Sequence, residues 1–177
     1  MSGGDPATVW TIGHSSRTLE AFLALLAAHG IEAIADVRRF PGSRHVPQFA
    51  RGQFEPALAA RGLGYAWFEA VGGRRPAHRD SPNTAWRNAA FRGYADYMCT
   101  PAFAAGFDAL LAYGARQRTA LMCAEAVWWR CHRSMLADAM KVRGIEVVHI
   151  LDAKHAKVHP YTSAARVVNG QLSYAAT

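Results

Sequence analysis

Five short apolar segments alternate along this chain with stretches of helical spacing, and that alternation restricts the fold more than any other feature of the sequence. Val9–Ile12, Ile31–Val37, Leu63–Phe68, Thr119–Cys123 and Ile145–Leu151 are bounded by glycine or polar residues and read as buried strands. Between the first two, Leu19, Phe22, Leu25 and Leu26 recur at helical spacing, with Thr18 as cap, Glu20 in the first turn and Gly30 as stop. Phe54–Ala60 reads as a short helix. Phe91–Cys99 and Pro101–Tyr113 read as two more, separated where Thr100 can cap and Pro101 can start a helix. Arg130–Val142 is a fifth helical stretch, closed by Gly144. Strand–helix–strand units of this kind fold as right-handed crossovers on a parallel sheet. The Asn169-Gly170 pair inside Ala165–Tyr174 adds a C-terminal hairpin. The expectation is one α/β domain over residues 1–177, core about 9–174, with a largely parallel sheet flanked by helices.

In parallel sheets ligands bind at the carboxyl ends of the strands. Here those ends carry Gly13-His14-Ser15, Asp36-Val37-Arg38, Glu69 to Gly73, Cys123-Ala124-Glu125 and Asp152. Two loops leaving this rim are rich in cations: Arg38, Arg39, Arg44 and His45 within one, Arg74, Arg75, His78 and Arg79 within the other. Gly72-Gly73 permits close backbone approach ahead of Arg74. The second loop, Val71–Arg87, is long enough to be functional or mobile.

Charge supports an anionic ligand. Lysine and arginine number 20 against 13 acids, a formal net charge of +7. A phosphate, a nucleotide, a nucleic acid or an acidic protein fits that balance, and so does a merely basic protein without such a partner. Hydrophobic residues make up 51% and charged residues 19%, which excludes a disordered chain. No run approaches the roughly 20 apolar residues of a membrane span. The N-terminus lacks the pattern of a signal peptide, and three cysteines are too few for a disulfide scaffold. A cytoplasmic protein with reduced thiols is expected.

The densest chemistry lies in Cys123-Ala-Glu125 and Cys131-His132-Arg133. A thiol near a helix N-terminus and arginines is biased towards thiolate, so Cys123 is a nucleophile candidate; its other reading is a small core residue, which is the reading for Cys99. Glu125 and Asp36 are acid–base candidates and His14 joins them on the rim. Ser15, Arg38, Ser43, Arg44, Gly72, Gly73, Arg74, Cys131, His132 and Arg133 are expected to bind the substrate or its anion. The spacing from Cys123 to Arg130 does not match a tyrosine-phosphatase loop, and there is no C-x-x-C, P-loop or GxGxxG. Cys123, Cys131, His132 and His14 are types that bind zinc or iron. Yet C-x7-C-H lacks paired zinc spacing, and neighbours on a helix point about 100° apart. No cofactor is required, and a metal is the lesser alternative. Phe40, Tyr65, Trp67, Phe68 and Trp86 read as core or as stacking rings, whereas adjacent Trp128 and Trp129 resist joint burial.

TIGHS (Thr11–Ser15), DVRRFPGSR (Asp36–Arg44), Gly72-Gly73, YADYM (Tyr94–Met98), MCAE (Met122–Glu125), CHR (Cys131–Arg133) and VVHI (Val147–Ile150) occur in this order, followed by HPYTSAARVVNGQL (His159–Leu172). In these motifs the chain resembles the DUF488 family. The resemblance implies a single α/β domain and places His14, Asp36, Arg38, Cys123, Glu125, Cys131, His132 and Arg133 inside signature motifs, without implying a reaction. The reading that joins these observations is a hydrolase or group transferase acting on a phosphate-containing, nucleotide-like or nucleic-acid substrate. Its rivals are a non-catalytic nucleic-acid-binding module and a cysteine-based metal or redox site.

Overall fold

In the computed structural model, which describes residues 4–176, each of the five apolar segments is a strand of one sheet. They are β1 (Thr8–Gly13), β2 (Ala33–Asp36), β3 (Gly64–Trp67), β4 (Thr119–Cys123) and β5 (Glu146–Ile150). All five run parallel, and a short antiparallel strand, β6 (Ala156–Val158), completes the order β3-β2-β4-β1-β5-β6. Every residue of β4 is buried, as an uninterrupted apolar run in a covered parallel sheet should be. β6 lies exposed on the sheet edge, and its three residues carry no strand pattern in the sequence.

Crossovers from β1 to β2 and from β2 to β3 carry α1 (Leu19–Ala28) and α2 (Arg51–Ala59). These helices pack on one face around Ile12, Phe22, Ile34, Phe54 and Met122. The return through α3 (Ala89–Tyr97) and α4 (Pro101–Gly114) to β4, and then through α5 (Arg133–Val142) to β5, runs the other way across the sheet. Right-handed crossovers in the opposite direction place their helices on the opposite face. The core there contains Val71, Phe107, Leu121, Cys123, Met135 and Leu136. Neighbouring strands β1 and β4 therefore send their connections apart, and such a reversal opens a cleft over their carboxyl ends. The two strands stay joined beyond their last residues: His14 N–H donates to Cys123 O at 2.9 Å and Ser15 N–H to Ala124 O at 3.0 Å. Only glycine fits at position 13, where a Cβ would overlap the Glu125 carbonyl.

Thr18 and Thr100 cap α1 and α4, accepting from Ala21 N–H and Phe103 N–H. Other boundaries differ from expectation. α5 begins at Arg133 rather than Arg130, because residues 128–130 form a 3-10 turn and Cys131 is extended. Cys99 is exposed in the turn between α3 and α4, not in the core. Trp128 is buried and stacks on His149 at 4.3 Å, so only Trp129 of the pair faces solvent. The long loop after β3 is tethered: His78 N–H, Ser81 Oγ–H and Asn83 Nδ2–H all donate to Asp96 on α3. No helix of the described residues is long and apolar enough to cross a membrane.

The expected hairpin is present as β7 (Arg166–Val168) and β8 (Gln171–Ser173), with Asn169 and Gly170 at positive φ, as a type I′ turn requires. A buried polar chain ties this C-terminal segment down. Tyr174 and Thr162 hydroxyls donate to Asp138 Oδ2 at 2.7 and 2.6 Å, and His159 Nε2–H donates to Oδ1 at 2.8 Å. Carboxylate oxygens only accept, so His159 Nδ1 accepts from His149 Nε2–H at 2.8 Å. His149 Nδ1 in turn accepts from the Thr11 hydroxyl at 2.5 Å.

Burial, reinforced by the Arg133 charge, pushes His149 down from 6.5 to about 2. The unfolded chain takes up a proton at this ring below pH 6.5 that the folded chain refuses. Stability present above pH 6.5 is thus lost as pH falls, with His149 alone contributing about 1.4 kcal/mol per pH unit. Urea unfolding at about pH 7 and about pH 5 should show a steeper loss for the native sequence than for His149→Gln. Equal slopes would mean that the folded ring carries the proton.

Candidate active site

Arg133 opens α5, and its side chain turns back beneath the loop that leaves β4. Its Nη1 donates to Cys123 Sγ at 2.9 Å and to Glu125 O at 2.7 Å, and Nη2 donates to Ala126 O at 3.0 Å. The residue is 1% exposed, and its Nε has no hydrogen-bond partner among the described residues. Among the described residues no carboxylate lies within ion-pair distance of it. A buried guanidinium without a counter-anion is strongly destabilising. The ionisable side chain that touches it is Cys123, so the local electrostatics call for a thiolate there.

Cys131 supports the same assignment. Its Sγ lies 2.7 Å from Cys123 Sγ, although seven residues separate the two and no C-x-x-C spacing announces the contact. Burial opposes ionisation of Cys123, but the Cys131 hydrogen bond and Arg133 prevail and bring the thiol down to about 7. Burial and the Cys123 partner push Cys131 the other way, so it keeps its proton. The neighbouring His132 sits before the helix rather than on it, so the helical angle between positions 131 and 132 does not apply. His132 Nε2–H donates to Val37 O at 2.9 Å, which leaves Nδ1 as an acceptor 3.5 Å from Cys131 Sγ. Burial pushes this histidine down to about 4.

A second assembly forms the wall above β1 and β2. Arg38 Nε and Nη2 donate to Asp36 Oδ1 and Oδ2 at 2.9 and 2.7 Å, and the Tyr65 hydroxyl donates to Oδ2 at 2.6 Å. The remaining Arg38 Nη1 reaches His14 Nε2 at 3.4 Å. His14 donates Nδ1–H to Ser15 O and stacks on Phe49 at 4.6 Å. Burial lowers its pKa, with the Arg38 charge acting in the same direction.

These assemblies border one cavity of about 700 Å³. Along it lie His14, Ser15, Arg38, Ser43, Arg44, Gly73, Arg74, Cys123, Glu125, Cys131 and His132, all named from the sequence. Arg133 lies beneath the floor. Asp36 stands behind the wall with its carboxylate engaged, and Gly72 packs on the Arg39 backbone, where a Cβ would clash. Glu69 pairs with Arg39 and Arg75, and Asp152 is exposed and caps its own turn; neither lines the cavity. Sequence reading missed Arg130, Ser16, Phe91 and Tyr94 as lining residues. Arg130 was hidden inside a helix that starts three residues later. Arg44, Arg74 and Arg130 make no ion pair among the described residues. Phe40, 59% exposed, stands at the mouth with the Arg39 and Arg74 guanidiniums 5.3 and 6.0 Å from its ring centre. Among the described residues no group of three His, Cys, Asp or Glu side chains is arranged to hold a metal ion.

A family model described as "Domain of unknown function DUF488" matches residues 18–140. That span takes in Asp36, Arg38, Gly72 to Arg74, Cys123, Glu125 and Cys131 to Arg133, and leaves out His14 and the C-terminal polar segment. No curated protein and no solved structure matches the chain.

The arginine–thiolate contact has a direct test in the pH dependence of alkylation, resolved by peptide mass spectrometry with Cys99 as reference. Arg133→Met should move Cys123 from about 7 into the range of a free thiol, about 8.5, and slow its alkylation at neutral pH about tenfold or more. Arg133→Lys should restore part of the rate. An unchanged profile in both variants would show that Arg133 does not hold the thiolate.

Proposed function

Because the chain belongs to the DUF488 family, whose description assigns no reaction, its function has to be read from the site, and we propose an enzyme that uses the Cys123 thiolate on a phosphate-bearing, nucleotide-like substrate. The observation that carries this reading is the buried Arg133, compensated by Cys123 on the floor of a cationic cavity. A structural cysteine in a core has no need of a guanidinium at 2.9 Å.

The three unpaired arginines, Arg44, Arg74 and Arg130, suit the phosphate, since a guanidinium offers a planar fork of donors to its oxygens. The exposed face of Phe40 suits a base, which stacks on aromatic rings. Cys123 then faces the electrophilic centre, a glycosidic carbon or a transferable group. In the proposed step a bond forms from Cys123 Sγ to that centre while its bond to the leaving group breaks. The leaving group takes a proton from the Glu125 carboxyl group. Water or an acceptor activated by the Glu125 carboxylate then displaces the thiolate, which completes hydrolysis or transfer. Asp36 is committed to Arg38 and Tyr65, so Glu125 is the acid–base group in this scheme. Arg38 and His14 are positioning groups of the wall. The thiolate requires a reducing compartment, in line with a cytoplasmic protein.

Turnover of nucleoside phosphates and short oligonucleotides, followed chromatographically, tests the assignment. Cys123→Ser and Glu125→Gln should each lower kcat about a hundredfold or more. Arg74→Met should mainly raise KM. Wild-type turnover in both the Cys123 and Glu125 variants would overturn the mechanism. Salt-sensitive oligonucleotide binding without turnover, undiminished in both variants, would make the site a nucleic-acid-binding module instead.

A further inference from the structure

The scheme above leaves Cys131 without chemistry, yet this thiol is buried against the thiolate. A second protonated sulfur 2.7 Å from an arginine-held thiolate is the arrangement that resolves an oxidised cysteine. We propose that Cys123 and Cys131 form a reversible dithiol–disulfide site that reduces small hydroperoxides, with Cys123 attacking and Cys131 resolving. This inference rests on the same Cys123 thiolate as the proposed function, but on no nucleotide substrate.

In the first step Cys123 Sγ attacks the distal peroxide oxygen. A sulfur–oxygen bond forms, the oxygen–oxygen bond breaks, and the alcohol or water leaves after taking a proton from solvent. In the second step Cys131 Sγ attacks the sulfenic sulfur. The disulfide forms, the sulfur–oxygen bond breaks, and hydroxide leaves as water with the Cys131 proton. His132 Nδ1, an acceptor 3.5 Å from Cys131 Sγ, is placed to carry that proton. The two thiols are oxidised by two electrons and the peroxide is reduced by two. A low-molecular-weight thiol returns the pair to the dithiol by two exchanges. Cys123 lines the cavity, so a small peroxide that enters it meets the sulfur.

Arg133 decides which way this couple leans. Oxidation removes the anion that compensates a buried guanidinium. The disulfide form therefore carries an unpaired buried charge, and the reduced form is favoured. The bond should behave as a labile disulfide rather than a structural one.

The test treats the reduced full-length protein with stoichiometric hydrogen peroxide and maps the cysteines by alkylation and peptide mass spectrometry. The expected product is a Cys123–Cys131 disulfide, formed at least ten times faster than Cys99 is oxidised and fully reversed by excess thiol. Cys131→Ser, a near-isosteric change, should instead stop at a Cys123 sulfenic acid that dimedone captures. In thiol–disulfide buffers, Arg133→Met should hold its disulfide at thiol concentrations that reduce the native protein. Direct passage of native Cys123 to sulfinic acid, or oxidation no faster than at Cys99, would overturn the proposal. Disulfide formation in protein that turns over no nucleotide would sink the proposed function and leave this site standing. Nucleotide turnover without any disulfide would do the reverse.

Discussion

A single buried cation organises the carboxyl end of this sheet. The Arg133 guanidinium joins the first residue of α5 to the last residue of β4 and to two carbonyls of the loop between them. Those carbonyls point inward because Arg133 is there to receive them, and the Glu125 carbonyl in turn leaves no room for a side chain at position 13. The ends of β1, β4 and α5 are thus locked together by one side chain whose charge has to be balanced. Balance by a carboxylate would have made an inert structural ion pair. Balance by sulfur is what the proposed chemistry draws on.

The wall above β1 and β2 shows that alternative. Asp36 and Arg38 compensate each other with two hydrogen bonds, and Tyr65 occupies the carboxylate further. Both oxygens of the carboxylate are engaged. The site therefore holds two buried arginines in contrasting surroundings, one satisfied by a carboxylate and one set against a cysteine sulfur. Around them Arg44, Arg74 and Arg130 make no ion pair among the described residues.

Much of this was legible in the chain. Strand and helix alternation follows from local apolar spacing, and topology then carries the strand ends to one rim without further information. That is why residues as distant in sequence as His14, Arg38 and Glu125 border one cavity. What was not legible depends on contacts without local signal. The start of α5 is set by a 3-10 turn over Trp128–Arg130. That turn buries Trp128 on His149, extends Cys131 and frees Arg130 to line the cavity. No periodicity encodes such a turn. The exposed Cys99, the edge strand β6 and the Asp96 tether are likewise products of packing. The tether turns a long polar loop, which composition alone marks as irregular, into one held by three donors to one carboxylate.

The one-way hydrogen-bond chain from Thr11 to Asp138 also bears on how the protein is made. Asp138 lies on α5, but its donors come from His159, Thr162 and Tyr174. As the chain leaves the ribosome, β1 to α5 can emerge complete while that carboxylate still lacks every partner. Its burial has to wait until the hairpin that leads to Tyr174 is available. The α5 face, and with it the arginine beneath the thiols, can therefore be assembled early but sealed only once Tyr174 has emerged.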